Sequence, residues 1–157
     1  MKKYVWLFII IAILFFVVCS TITIFLGIVL GLWDAPSVNK EKRERLEIYN
    51  NDENFITLTG KIVDIKDSNG NQVVKIENDE INQYLNVENF EYDYVIYSQS
   101  ILSFTVGDVI TFTTCKKMLK YDSVLPIIEV IKDGEYLLDY QTGKANLINS
   151  VNQIQYK

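Results

Sequence analysis

Residues 4–33 form thirty consecutive positions without a charged side chain, and a stretch of that length has no place on the surface of a small water-soluble domain. A helix rises about 1.5 Å per residue and a bilayer's hydrocarbon core is roughly 30 Å thick, so about 20 apolar residues suffice to cross it. The run predicts one transmembrane helix and a single-pass protein held in a cell membrane. Tyr4 and Trp6 at one end and Trp33 at the other supply amphipathic rings at the two headgroup levels. A cleavable signal peptide has an apolar region of about 7 to 15 residues followed by a small-x-small site. Here the run continues through Phe25-Leu26-Gly27-Ile28-Val29-Leu30, so an uncleaved signal-anchor is expected. A lipoprotein box is excluded by the bulk of Val18 before Cys19.

Within the run, Thr23, Gly27 and Gly31 recur every four residues, and Gly27 to Gly31 reads G-x-x-x-G. Such a face lets two helices approach closely and so offers a homodimer through the membrane helix, against the plainer reading that glycine is common in membrane helices. Ser20 and Thr21 are expected to bond back to the preceding turn. Lys2 and Lys3 abut the run directly. Lys40, Lys42, Arg43 and Arg45 stand several residues beyond it and alternate with Glu41, Glu44 and Glu47. The positive-inside rule therefore places the carboxyl-terminal part outside the cytoplasm.

Of the 15 basic residues, Lys2 and Lys3 precede the run, leaving 13 against all 20 acidic ones in the part that follows, a net charge of −7. Phosphate neutralisation by Lys and Arg supplies most non-specific nucleic-acid affinity, so this acidic part is a poor nucleic-acid binder. Its roughly 124 residues suit one domain with one core. The two cysteines, Cys19 in the run and Cys115 far beyond it, are not a disulfide framework. Histidine is absent, which removes the usual general base and the commonest neutral metal ligand. Abundant Ile, Asn, Lys and Tyr with only 2 Pro and 7 Gly matches an AT-rich bacterial genome.

The charged stretch at 34–51 reads as a juxtamembrane helix or linker, with Glu41 and Arg45 four apart in the favourable order. If it faced the cytoplasm, its basic side chains could reach lipid headgroups. From residue 52 to 157 the texture changes to short β-branched and aromatic runs. Strands are predicted at 55–65, 72–77, 92–98, 109–115 and 125–131. Asn69-Gly70 supports a hairpin between the first two. Ile56, Leu58 and Ile62 share one parity while Val63 and Ile65 take the other after Gly60, which predicts a bend or bulge. After a turn at Lys132-Asp133-Gly134, an extra strand is expected at 135–140, then a turn at Thr142-Gly143. A short helix follows, with Leu147, Ile148, Val151 and Ile154 on its packing side.

The long first strand with its mid-strand glycine, the hairpin and the Gly107-Asp108 turn before the fourth strand together resemble the oligonucleotide/oligosaccharide-binding (OB) fold across residues 55–131. The expected fold class is thus mainly β: a small OB-like five-stranded barrel with an extra strand and a C-terminal helix, behind one transmembrane helix and a juxtamembrane helix. Only Gln99 to Val106 is available for the helix that the OB plan places between its third and fourth strands.

Asp64 to Asn71 does not fit a calcium loop, because aligning Gly70 with the loop's glycine puts isoleucines at the first and twelfth ligand positions. In 90–97, aromatic and acidic residues alternate. Tyr92 and Tyr94 on one face either cover the core or form a stacking surface for a ring. Carboxylate pairs such as Asp79 with Glu80, or Asp133 with Glu135, could serve acid and base roles, and they also suit ordinary turns. There is no phosphate loop, metal spacing or nucleophile elbow, and no cofactor is expected. The expectation is a non-enzymatic, membrane-anchored protein displaying the barrel to a protein partner. The alternatives are a tethered module for glycan or single-stranded nucleic acid, and a small hydrolase accessory.

Overall fold

The computed structural model describes residues 13, 15–22, 24–25, 38–68, 71–88, 91–98 and 102–154. Tyr4, Trp6, Thr23, Gly27, Gly31 and Trp33 lie outside the described residues. The chain divides into two compact units, Met1–Glu41 and Lys42–Lys157.

In the first unit the described residues between 13 and 25 are helical, and every large apolar side chain among them is more than half exposed. Ser20 Oγ donates to the Val17 carbonyl at 2.9 Å, and Thr21 Oγ1 donates to those of Val17 and Val18, so both hydroxyls are satisfied within the helix. Among the described residues no helix is long and apolar enough to cross a membrane.

A helix over residues 38–50 (α1) leads into a 3-10 turn at Asp52–Asn54. The second unit then runs β1 (Phe55–Ser68), β2 (Asn71–Glu77), α2 (Glu80–Leu85), β3 (Tyr92–Ile96), β4 (Val109–Cys115), β5 (Leu125–Lys132), β6 (Glu135–Leu138) and α3 (Tyr140–Asn152). The sheet order is β3-β2-β1-β4-β5-β6, and a parallel pairing of β3 with β5 closes the first five strands. This closed, mixed five-stranded barrel is consistent with the OB-like fold that the resemblance implies.

The parity switch in β1 is a real bulge: the register to β2 shifts between Ile62 and Asp64. Gly60 is needed just before it, because a Cβ there would stand 2.3 Å from Ile76 Cγ2 and 2.9 Å from the Glu77 carbonyl oxygen. Ser68 pairs with Asn71, the residues flanking the expected Asn69-Gly70 turn. Asp133 and Gly134 both take positive φ between β5 and β6, the combination a two-residue right-twisted hairpin requires.

Two differences from the sequence reading stand out. Described residues between β3 and β4 carry no helix, and the short α2 lies between β2 and β3 instead. Asn78 starts it: its Oδ1 accepts from the backbone N–H of Glu80 and Ile81 while its Nδ2 ties to the Thr59 carbonyl at 2.7 Å. The expected turn at Thr142-Gly143 is part of α3, which Asp139 caps by accepting from Thr142 N–H at 3.0 Å. Gly143 serves close packing rather than a turn, since a Cβ there would come within 1.9 Å of the Ile128 carbonyl oxygen.

The barrel encloses Leu58, Ile62, Val74, Ile76, Tyr94, Phe112, Leu125, Ile127 and Val130, among others. A second cluster lies outside it, where Tyr49 of α1 and Leu147 and Val151 of α3 bury Cys115 and Ile128. Tyr49 is only 2% exposed, so residues 42–50 contribute core to the second unit and are more than a spacer. Ile154 was expected on the packing side of α3; it falls beyond the helix and is 41% exposed.

Candidate functional site

Strand alternation decides where the tyrosines of β3 go. Tyr92 and Tyr94 share a face, and that face is the barrel interior, leaving them 8% and 0% exposed. Tyr94 meets Phe112 edge-to-face at 5.1 Å between ring centroids. Its hydroxyl is buried without a hydrogen-bond partner, and burial holds it far above the ordinary phenol range. The structure therefore places these rings in the core, the first of the two roles their pattern allows, and Tyr94 offers no stacking face to a ligand.

The outward residues between β2 and β3 behave differently. Lys75 lies directly across from Asp93 in the register and forms an ion pair with Glu91. The Glu91 carboxylate holds its ammonium above the usual lysine range. Around this pair opens a hollow of 420 Å³ lined by Val87, Tyr92, Met118 and Ser123 as well as the three charged residues. Val87 also lines a broader hollow of 640 Å³ beside α2, with Asp79, Asn82, Gln83, Asn86 and Glu88. Asn82 Oδ1 is buried there with no hydrogen-bond partner. An acceptor stranded in that way costs free energy until a donor reaches it.

The two hollows share Val87 and form a groove; among its described lining residues Asp79, Glu88, Glu91 and Asp93 stand against one lysine, Lys75, already paired. Val87, Met118 and Tyr92 supply its apolar lining. Asp79 sits on this lining, whereas Asp133, of the other carboxylate pair, stands in the exposed β5–β6 turn. Neither arrangement brings two carboxylates together in an enclosed pocket.

A second polar region joins α1 to the β4–β5 connection. Arg45 of α1 pairs with Asp122, both side chains largely buried. Asp122 also accepts from Leu119 N–H at 3.3 Å. Beneath them burial pushes the Tyr49 hydroxyl well above its usual range and the Cys115 thiol up to about 11, so this thiol is protonated and unreactive near neutrality.

Neither α2 with its groove nor the Arg45–Asp122 pair was read from the sequence. Ile81 and Leu85 at a spacing of four, behind Asn78, were the signal for α2. Nothing in the sequence alone pairs Arg45 with a residue 77 positions away. No protein-family model matches this chain, and no curated protein matches it.

Proposed function

We propose that this chain is a single-pass membrane protein that holds an OB-like domain outside the cytoplasm and uses the groove beside α2 to bind a basic, partly apolar segment of another protein. The observation that carries the binding half is the groove itself: a lining of acidic and apolar side chains, and a buried Asn82 oxygen without a donor. Lys and Arg side chains supply such donors and a matching charge, and their stems cover apolar surface. Anionic polymers meet the same acidic side chains and are repelled, which disfavours nucleic acid.

The membrane half rests on the uncharged run at residues 4–33, on the outward-facing apolar side chains between 13 and 25, and on the internal satisfaction of Ser20 and Thr21. A helix apolar on all faces needs lipid or protein around it. The G-x-x-x-G face at Thr23, Gly27 and Gly31 supports pairing of two such helices.

A photoreactive side chain placed at Gln83 in intact cells tests this reading. It should capture a protein that presents a basic segment to the groove, and the capture should fall severalfold with Asp93→Lys. Capture that is absent, or unchanged by the charge reversal, overturns the groove assignment. Protease added to the same cells should reach the domain; full protection until the membrane is permeabilised would reverse the orientation.

A further inference from the structure

We propose that the hollow between α3 and the facing ends of β2 and β3 is a binding site for the ring of a neutral sugar. Its volume is 180 Å³. That is several times a water's share of the liquid, about 30 Å³, and below the range of drug-sized pockets, about 300 to 1,000 Å³, so one ring is the unit that suits it. The sheet side is lined by Asn71, Tyr97 and Ser98, and the helix side by Asn146, Asn149, Ser150 and Gln153. The helix residues stand three, four and seven apart and so share one face. Beside it runs the face through Leu147 and Val151, which is buried in the seam.

The walls are held in place by their own hydrogen bonds. Asn146 Nδ2 donates to the Tyr97 carbonyl at 3.3 Å, which ties the helix to the end of β3. Ser150 Oγ donates to the Leu147 carbonyl at 2.7 Å, and its hydroxyl also reaches that of Tyr97. Gln153 ends the last turn, its N–H donating to the Asn149 carbonyl at 3.0 Å. The side-chain amides of Asn71, Asn149 and Gln153, by contrast, make no hydrogen bond to a described residue. Each offers one carbonyl acceptor and two N–H donors.

Among the described lining residues none is charged, although 22% of the chain is. An ion entering the hollow would lose water without meeting an opposite charge, and an apolar ligand would strip water from amides it cannot pair. A peptide spreads one donor and one acceptor over about 3.3 Å of extended chain and brings side chains that need space of their own. Hydroxyls on neighbouring ring carbons each donate and accept within one compact outline, which matches a cluster of amides. The Tyr97 side chain adds an aromatic surface for the C–H face of the ring. None of these residues lines the α2 groove, so this site is independent of the one beside α2.

The test uses the full chain in zwitterionic micelles, with Asn and Gln isotopically labelled for NMR, titrated with methyl glucoside and with methyl N-acetylglucosaminide. The side-chain amide signals of Asn71, Asn149 and Gln153 should shift saturably with at least one of the two. Half-saturation should rise about fivefold in Asn149→Asp and in Gln153→Ala, the loss of one hydrogen bond in each case. Both positions are exposed, and the backbone signal of Gln72 in β2 checks that each variant keeps its fold. No saturable shift with either sugar, or a response that either folded variant retains in full, overturns the proposal. N-acetylglycine amide should give no such shift; an equal response would make the hollow a peptide site and the sugar assignment wrong. Asp93→Lys, in the groove beside α2, should leave the sugar response as in the parent, and its loss there would overturn the assignment to this hollow.

Discussion

Inside the barrel and outside it, β5 serves two cores of different chemistry. Leu125, Ile127 and Val130 point inward into a cluster built from strand alternation, where Tyr94 and Phe112 meet and no charge enters. Ile128 points outward into the seam with α1 and α3, where a glycine lets a helix touch the strand and polar contacts hold the edges. There Arg45 pairs with Asp122. Asp52 accepts from both Lys144 and Tyr140, and Phe55 packs against Tyr140 at 6.2 Å. The inner core depends on volume, so it tolerates loss of polarity and punishes loss of bulk. The seam depends on close approach and charge pairing, so a single added methyl or proton matters there.

The largest expected effect tests the inner core. Tyr94→Ala in the full chain should lose about 3 to 5 kcal/mol in denaturant unfolding, as for other buried aromatics. Tyr94→Phe removes only a hydroxyl that has no partner, and it should leave stability equal or raise it by about 1 kcal/mol. If Tyr94→Phe destabilises instead, the hydroxyl has a partner and the interior is more polar than its lining implies.

A smaller effect should separate the seam from the barrel. Gly143→Ala places a Cβ against the Ile128 carbonyl, so α3 has to shift away from β5 at a cost of about 1 to 3 kcal/mol. Amides of α3 should then exchange faster while those of β1 and β4 keep their protection. Uniform acceleration across the second unit would show that seam and barrel open as one.

This division also explains what could be read from residues alone. Strands came through because alternation and turn residues act locally: β4 was expected at 109–115 and runs Val109–Cys115, and the Ile62–Val63 parity switch marked the bulge in β1. Gly143 was misread because a glycine needed for close approach to a strand has the same local signature as one needed for a turn. Residues 42–50 read as part of a juxtamembrane helix or linker because the buried residues that share a cluster with Tyr49, namely Cys115, Ile128, Leu147 and Val151, lie more than 60 positions away. The groove was hidden for a related reason. It depends on α2, a helix of only six residues whose cap is donated by Asn78, one residue before the usual position.

The smallest expected effect is a difference in acid sensitivity between the two regions. Among the described residues, three carboxyls are held below their ordinary range: Asp108 by Lys132 and the Thr105 N–H, Asp52 by Lys144 and Tyr140, and Asp139 by the Thr142 N–H. A carboxyl depressed in the folded state stabilises fully above its unfolded pKa of about 3.9, and that contribution disappears as pH falls through the lower folded value. All three contributions are therefore present at neutral pH and fade below about pH 4. Asp52 and Asp139 secure the seam, whereas Asp108 secures the turn before β4, so the seam has more to lose on protonation. Between about pH 4 and pH 2, α3 should lose exchange protection ahead of the barrel strands. Asp52→Asn should flatten the pH response of α3 without altering that of β4, and Asp108→Asn should do the reverse. If both variants flatten both responses equally, the two cores are coupled through β5 more tightly than their separate chemistry suggests.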